Sequence, residues 1–303
     1  FEVIDDCWEI NSCEGPWIPN EKFGDMKKLA DEIREIGARP GIWVRLLHNR
    51  DTSITDEMRI LRNGKREYLD PTHPEVKTYI KSDIERIKSW GYELLKHDFT
   101  TFDLFGSWGK DLNETITIID DWHFYDRTKT NAEIVLDLYR LIKEAAGDMY
   151  IIGCNTVSHL CAGLVQINRT GEDTSGREWA RTKKMGVNTL AFRNCQNGKF
   201  FMCDADCVGI TGAIDWAQNK EWLFALSRSG SPLFVSCKPG VLNDSEMAEL
   251  EQAYKVAALQ ADEFYPLDWM ETTTPERYML NGKEVTFNWY TKQGNTWFAD
   301  TIK

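Results

Sequence analysis

The sequence predicts an α/β protein: a (β/α)8 TIM barrel over residues 1–262 whose first strand is missing, followed at 263–303 by the start of a small antiparallel β-domain. Three observations lead there. Short β-rich apolar runs alternate with amphipathic helical stretches, as in a parallel sheet with crossover helices. Carboxylates recur just after those runs, where a parallel barrel keeps its chemistry. From Phe264 the alternation gives way to Arg277-Tyr278-Met279-Leu280, the turn Asn281-Gly282 and Glu284-Val285-Thr286-Phe287, a hairpin signal. The 303 residues suffice for such a plan, since barrels commonly run to ~250 residues.

Phe1 to Ile4 reads as a strand ending in Asp5-Asp6-Cys7-Trp8. Phe23 to Ile36 follows as a helix, with Met26, Leu29, Ala30 and Ile33 at helical spacing, and Gly37 stops it. Pro40 to Leu47 is the next strand. Pro74 to Trp90 is a helix with proline in its first turn and Val76, Ile80, Ile84 and Ile87 on one face. Tyr92 to Lys96 is the strand that leads to Asp98. The connection from Phe99 to Thr130, with Trp108, Asp120, Asp121, Trp122, His123 and Tyr125, is long for a compact domain and rich in aromatics, which marks it as functional. Asn131 to Ala146 returns to helix. Met149 to Cys154, Leu164 to Asn168, Phe200 to Cys203 and Pro232 to Ser236 read as strands, and helices are expected near Arg177 to Met185, Trp216 to Ser227 and Asp244 to Asp262. Seven barrel strands result. An eighth is expected upstream of Phe1, where the chain begins inside a strand and reads as an excised piece.

Formal net charge is −12, and the 36 Lys and Arg are dispersed rather than gathered into a stripe. This argues against nucleic acid and anionic membrane surfaces as partners. No apolar run approaches the ~20 residues that span a bilayer. The eight cysteines are diluted over a long chain and read mostly as free thiols, with Cys7 and Cys13 the pair to check. Cys203 and Cys207 bracket Asp204 and Asp206, but the spacing fits no zinc pattern. No metal or cofactor is implied.

Lys96 and Asp98 are the chemical focus. Residues two apart on a strand share a face, so both project from the strand's C-terminal end, and the lysine is expected to hold Asp98 ionised. A surface ion pair would look the same in isolation. The repetition is harder to dismiss: Asp5 and Asp6, Asp98, Glu172 and Asp173, Asp204 and Asp206 all follow strands. With Trp8, Trp43, Trp108 and Trp179 at the edges, such carboxylates would make a pocket for a sugar ring. Glycoside hydrolysis needs two carboxyl groups flanking the scissile bond, and Asp98 with Asp173 is the candidate pair. Trp17, Trp90 and Trp222 read as packing, and His97 alternates away from Asp98.

In order along the chain, these segments resemble the clan D glycoside hydrolases, the α-galactosidases and α-N-acetylgalactosaminidases of glycoside hydrolase families 27 and 36. Asp5-Asp6-Cys7-Trp8 is similar to the family's Asp-Asp-x-Trp, which implies that Asp5 and Asp6 grip the 4- and 6-hydroxyls of galactose. Gly41-Ile42-Trp43 resembles the strand whose aromatic walls the pocket. Lys96-His97-Asp98 matches the Lys-x-Asp of the nucleophile strand, and Arg169 with Asp173 matches Arg-x-x-x-Asp, which implies a sugar-contacting arginine and an acid/base. Asp204-Ala205-Asp206 resembles Asp-Pro-Asp, with alanine in place of proline, and Ser229-Gly230-Ser231-Pro232-Leu233 resembles the approach to the last strand. The resemblance further implies substrate contacts at Cys154 and Asp206. The segment Asn155 to Leu160 lacks either family's pattern at the position facing the 2-substituent, so galactose and N-acetylgalactosamine both stay open.

The implied activity is retaining hydrolysis of α-galactosides, with Asp98 as nucleophile and Asp173, kept protonated by burial among other acids, as acid/base. The carbohydrate is the implied partner. An α-N-acetylgalactosaminidase, a transglycosylase, an α-glucosidase and an inactive carbohydrate-binding homologue are the alternatives.

Overall fold

The computed structural model describes residues 1–112, 121–259 and 263–289. The chain divides into two compact units, Phe1–Asn168 and the residues from Arg169 on.

In the first unit the order is β1 (Glu2–Ile4), β2 (Glu9–Asn11), β3 (Glu14–Pro19), α1 (Met26–Glu35), β4 (Pro40–Val44), β5 (Arg59–Arg62), β6 (Lys65–Leu69), α2 (Pro74–Ser89), β7 (Leu94–His97), α3 (Thr100–Phe105), α4 (Asn131–Ala146), β8 (Tyr150–Gly153) and β9 (Ile167–Arg169), which reaches the boundary. The strands β1, β4, β7, β8 and β9 lie in that order in one parallel sheet. Its register places Ile4 opposite Ile42, Trp43 opposite Lys96, and Lys96 opposite Ile152. Both faces of this sheet are apolar, as a sheet covered by crossover helices requires. Ile42, Val44, Leu94, Leu95, Ile151 and Ile152 are all buried.

Each helix forms for reasons legible in its sequence. Asp25 caps α1 through its side chain, accepting from the N–H groups of Lys27 and Lys28. Pro74 opens α2 and His73 caps it; its predicted apolar face, Val76, Ile80, Ile84 and Ile87, is fully buried. Thr130 and Glu133 form a capping box at the start of α4.

Two antiparallel hairpins, β2–β3 and β5–β6, go beyond the expected elements. The second turns on Asn63-Gly64 with φ of 51° and 69°, the same left-handed pair that marks the expected hairpin at Asn281-Gly282, with φ of 49° and 74°. The connection after Phe99 contains α3, a helix too short for periodicity to announce. Asp120 lies outside the described residues.

The second unit contains α5 (Trp179–Thr182) and α6 (Asn188–Phe192), joined by a π-turn at Lys183–Val187, then β10 (Met202–Asp204), β11 (Cys207–Ile210), α7 (Trp216–Arg228), β12 (Phe234–Cys237), α8 (Asp244–Ala257), β13 (Phe264–Pro266), β14 (Arg277–Leu280) and β15 (Lys283–Thr286). β11 was not expected; it pairs in parallel with β12. Asp206, at φ 68°, interrupts the extended chain between β10 and β11 and hides the run. The expected hairpin is β14–β15, and with β13 it forms an antiparallel sheet. Phe264, Tyr278, Phe287 and Trp289 join one core with Trp179, Trp222 and Leu226. Residues 260–262 of the expected last helix and 290–303 of the expected β-domain lie outside the described residues.

Among the described residues no helix is long and apolar enough to cross a membrane. The eight cysteines are free, Cys7 and Cys13 included.

Candidate active site

In the first unit Asp98 stands one residue beyond β7, its N–H bonded to the Val44 carbonyl at 3.0 Å. It is buried, and three donors reach its carboxylate. Trp43 Nε1 lies 3.1 Å from Oδ2, while the Phe99 N–H lies 2.6 Å and Asn155 Nδ2 2.5 Å from Oδ1. Donors converging on both oxygens suit an anion and fix its orientation. Lys96 shares the strand end as expected, and its ammonium donates to Asp5 Oδ2 at 2.8 Å. Lys96, the expected ion partner of Asp98, thus pairs with the first strand's carboxylate. Asp6 accepts from the Cys13 thiol at 2.9 Å, and burial together with Asp6 pushes that thiol up to about 12.

Two of the aromatics and the cysteine expected at the pocket are deeply placed. Trp43 and Trp8, expected to wall the pocket, are buried at 2% and 0% exposure. Trp8 Nε1 donates to the Trp43 carbonyl at 2.8 Å, and the Trp43 indole N–H donates to Asp98, so Trp43 orients that carboxylate. Cys154, expected at the substrate, is 0% exposed, with its N–H on the His97 carbonyl at 2.9 Å. Its neighbour Asn155 bonds Asp98 directly. Sequence reasoning missed Asn155, though asparagine tolerates the left-handed φ of 53° that turns it back towards Asp98.

Behind the site, Arg45 and Asp103 form a buried pair: Nε lies 3.1 and 3.0 Å from the two carboxylate oxygens and Nη2 2.6 Å from Oδ1. Burial works against the Arg45 charge, but the Asp103 carboxylate more than offsets it and keeps the guanidinium protonated. Both residues went unremarked in sequence, although a charge within the apolar run Gly-Ile-Trp-Val-Arg-Leu-Leu was a signal.

His97 packs behind the strand as expected, its Nδ1 3.3 Å from the Thr100 hydroxyl. Burial holds it neutral, lowering it from 6.5 to about 4. Between those values the unfolded chain binds a proton that the folded one refuses, so stability is complete above pH 6.5 and is lost as pH falls towards 4. The gap is worth about 3 kcal/mol. The urea midpoint should fall over this range, and His97→Asn should flatten the fall; equal slopes in both proteins would remove His97 from the acid transition.

In the second unit Arg169 is buried and donates to Asp173 Oδ1 at 2.5 Å, with Asp206 Oδ2 at 3.7 Å. Asp206 also accepts from the Thr174 N–H at 2.6 Å and its hydroxyl at 3.1 Å. Asp206, expected to contact substrate, thus also tethers the segment that follows Asp173. Gly171 is required there, because any Cβ would collide with the Thr189 hydroxyl. The expected burial of Asp173 is not met: its side chain is 64% exposed and lies 4.0 Å from Arg181 as well. Residues 170–178 form no strand, so alternation does not govern which way Glu172 and Asp173 point. Trp179, expected at a pocket edge, is buried, with its indole on the Trp289 carbonyl at 2.7 Å.

Among the described residues, no group of three or more His, Cys, Asp or Glu is arranged to hold a metal.

No protein-family model matches the chain, and no curated protein sequence does. Solved structures do. An α-galactosidase from Thermus thermophilus, in complex with p-nitrophenyl α-D-galactopyranoside, aligns over 94% of this chain and 60% of its own at 21% identity and a TM-score of 0.68. α-Galactosidase I from Mortierella vinacea aligns over 92% and 67% at 12% identity and 0.58. A family 27 β-L-arabinopyranosidase from Geobacillus stearothermophilus aligns over 87% and 68% at 15% identity and 0.58. The chain spans about 60% of the length of the Thermus enzyme. At these identities the likeness establishes a shared fold and no more.

Proposed function

We propose that the chain carries the catalytic residues of a retaining α-galactosidase, with a terminal α-galactosyl residue as substrate. The observation that carries this reading is the Asp98 carboxylate, buried at a strand end and gripped by three donors beside the Lys96–Asp5 pair. Asp98 attacks the anomeric carbon as the bond to the leaving oxygen breaks, and Asp173 gives that oxygen its proton. Water then adds to the same carbon, returns a proton to Asp173 and releases Asp98. Proton donation requires Asp173 to part from Arg169, and its exposed side chain gives it a path to do so. Asp5, Asp6 and Lys96 hold sugar hydroxyls; Arg169 and Asp206 anchor the acid's segment.

Hydrogen-bonding groups left unpaired by a wrong hydroxyl discriminate strongly, and p-nitrophenyl α-galactoside should be cleaved at least about 10²-fold faster than the matching α-glucoside. The α-N-acetylgalactosaminide, run beside them, reports what the 155–160 segment admits. Faster cleavage of the glucoside would overturn the galactose assignment. Galactose binding without turnover of any substrate would make this a carbohydrate-binding protein.

A further inference from the structure

We propose that the Arg45–Asp103 ion pair is a positioning device for Asp98: it clamps Phe99 in a left-handed backbone conformation that aims the Phe99 N–H at the carboxylate. The proposal rests on the reading of Asp98 as nucleophile.

Phe99 has φ 63°, a conformation that is strained for a bulky residue and persists only where its surroundings enforce it. The enforcement forms a closed circuit. The Phe99 N–H donates to Asp98 Oδ1 at 2.6 Å. The Arg45 guanidinium lies over the Phe99 ring, 4.1 Å from its centroid. Three short contacts tie that guanidinium to the Asp103 carboxylate. The Asp103 N–H returns to the Phe99 carbonyl at 2.8 Å. Thus the ion pair holds the ring of Phe99, while the backbone of Asp103, in the first turn of α3, holds its carbonyl. Trp43 and Trp108 flank the same ring at 6.4 and 5.3 Å, leaving it little freedom to rotate.

Stability alone is a poor reason for this pair. Arg45 is 7% and Asp103 0% exposed, and burying two charges costs about as much as their attraction returns. A device that fixes a carboxylate accounts for the placement, since misplacing a reacting group by about 1 Å can cost about 10² in rate.

The test uses the whole chain and two readouts. In wild type the Phe99 amide proton, bonded to a carboxylate, should resonate well downfield. Arg45→Met and Asp103→Asn should each move it upfield, lower kcat about 10²-fold and leave KM within about threefold. Adding Phe99→Gly to Arg45→Met should recover kcat at least about tenfold, because glycine takes this φ without a clamp. Circular dichroism checks folding, and the near-isosteric Asp103→Asn carries the test if Arg45→Met does not fold. An unmoved Phe99 resonance in a folded variant would overturn the clamp, as would loss confined to KM. If wild type turns over no galactoside, the hydrolase reading fails, and the clamp stands or falls on the resonance alone.

Discussion

Asp98→Asn lowers turnover by at least about 10⁴-fold, the scale on which loss of a nucleophile acts and equivalent to about 5 kcal/mol of barrier. An amide cannot form the glycosyl ester at a useful rate, so the loss should be the same for natural and activated substrates. Binding should survive. The groups assigned to the sugar hydroxyls, Asp5, Asp6 and Lys96, are untouched, and asparagine fits the space framed by Trp43, the Phe99 N–H and Asn155. Galactose affinity by calorimetry and single-turnover rates measure both halves. A rate within tenfold of wild type would remove Asp98 from the chemistry.

Asp173→Ala should separate substrates by leaving group. A general acid contributes about 10²–10⁴-fold where the leaving oxygen needs a proton. Galactosyl disaccharides should therefore lose activity on that scale, and p-nitrophenyl galactoside far less, because nitrophenolate departs unassisted. The removed carboxylate also leaves buried Arg169 without one of its partners, but Asp206 remains 3.7 Å away, so the fold should hold. Equal losses on both substrates would assign Asp173 a structural role, and Glu172, its neighbour, would become the acid to test.

How much was legible in sequence depended on where the information lies. Helices α2 and α4 follow their apolar periodicity and caps to within a residue, because period and capping chemistry are local. The hairpin at Asn281-Gly282 was legible for the same reason, and its twin at Asn63-Gly64 carried the same signal unread. Strands β10 and β11 were harder. A left-handed aspartate between two short extended runs leaves no periodic trace. The strand-end rule placed Lys96 and Asp98 correctly, yet it could not say that Trp43 faces inward to the carboxylate. Whether an aromatic near a site meets ligand or core depends on long-range packing. Asn155 bonds Asp98 from 57 positions away and Arg45 bonds Asp103 from 58, contacts that only the fold creates. The spacing of Arg169 and Asp173 marks both as site residues, but only the fold shows that the arginine bonds the acid directly.

The central claim is that Asp98 becomes covalently bound to the sugar. Incubation with a fluorinated α-galactosyl fluoride, chosen to form the glycosyl-enzyme quickly and release it slowly, followed by peptide mass spectrometry, tests this most directly. The account predicts one fluorogalactosyl label, carried by the carboxylate of Asp98 and absent from Asp98→Asn. A label on another carboxylate, or release of β-galactose from an α-galactoside with no label formed, would contradict it.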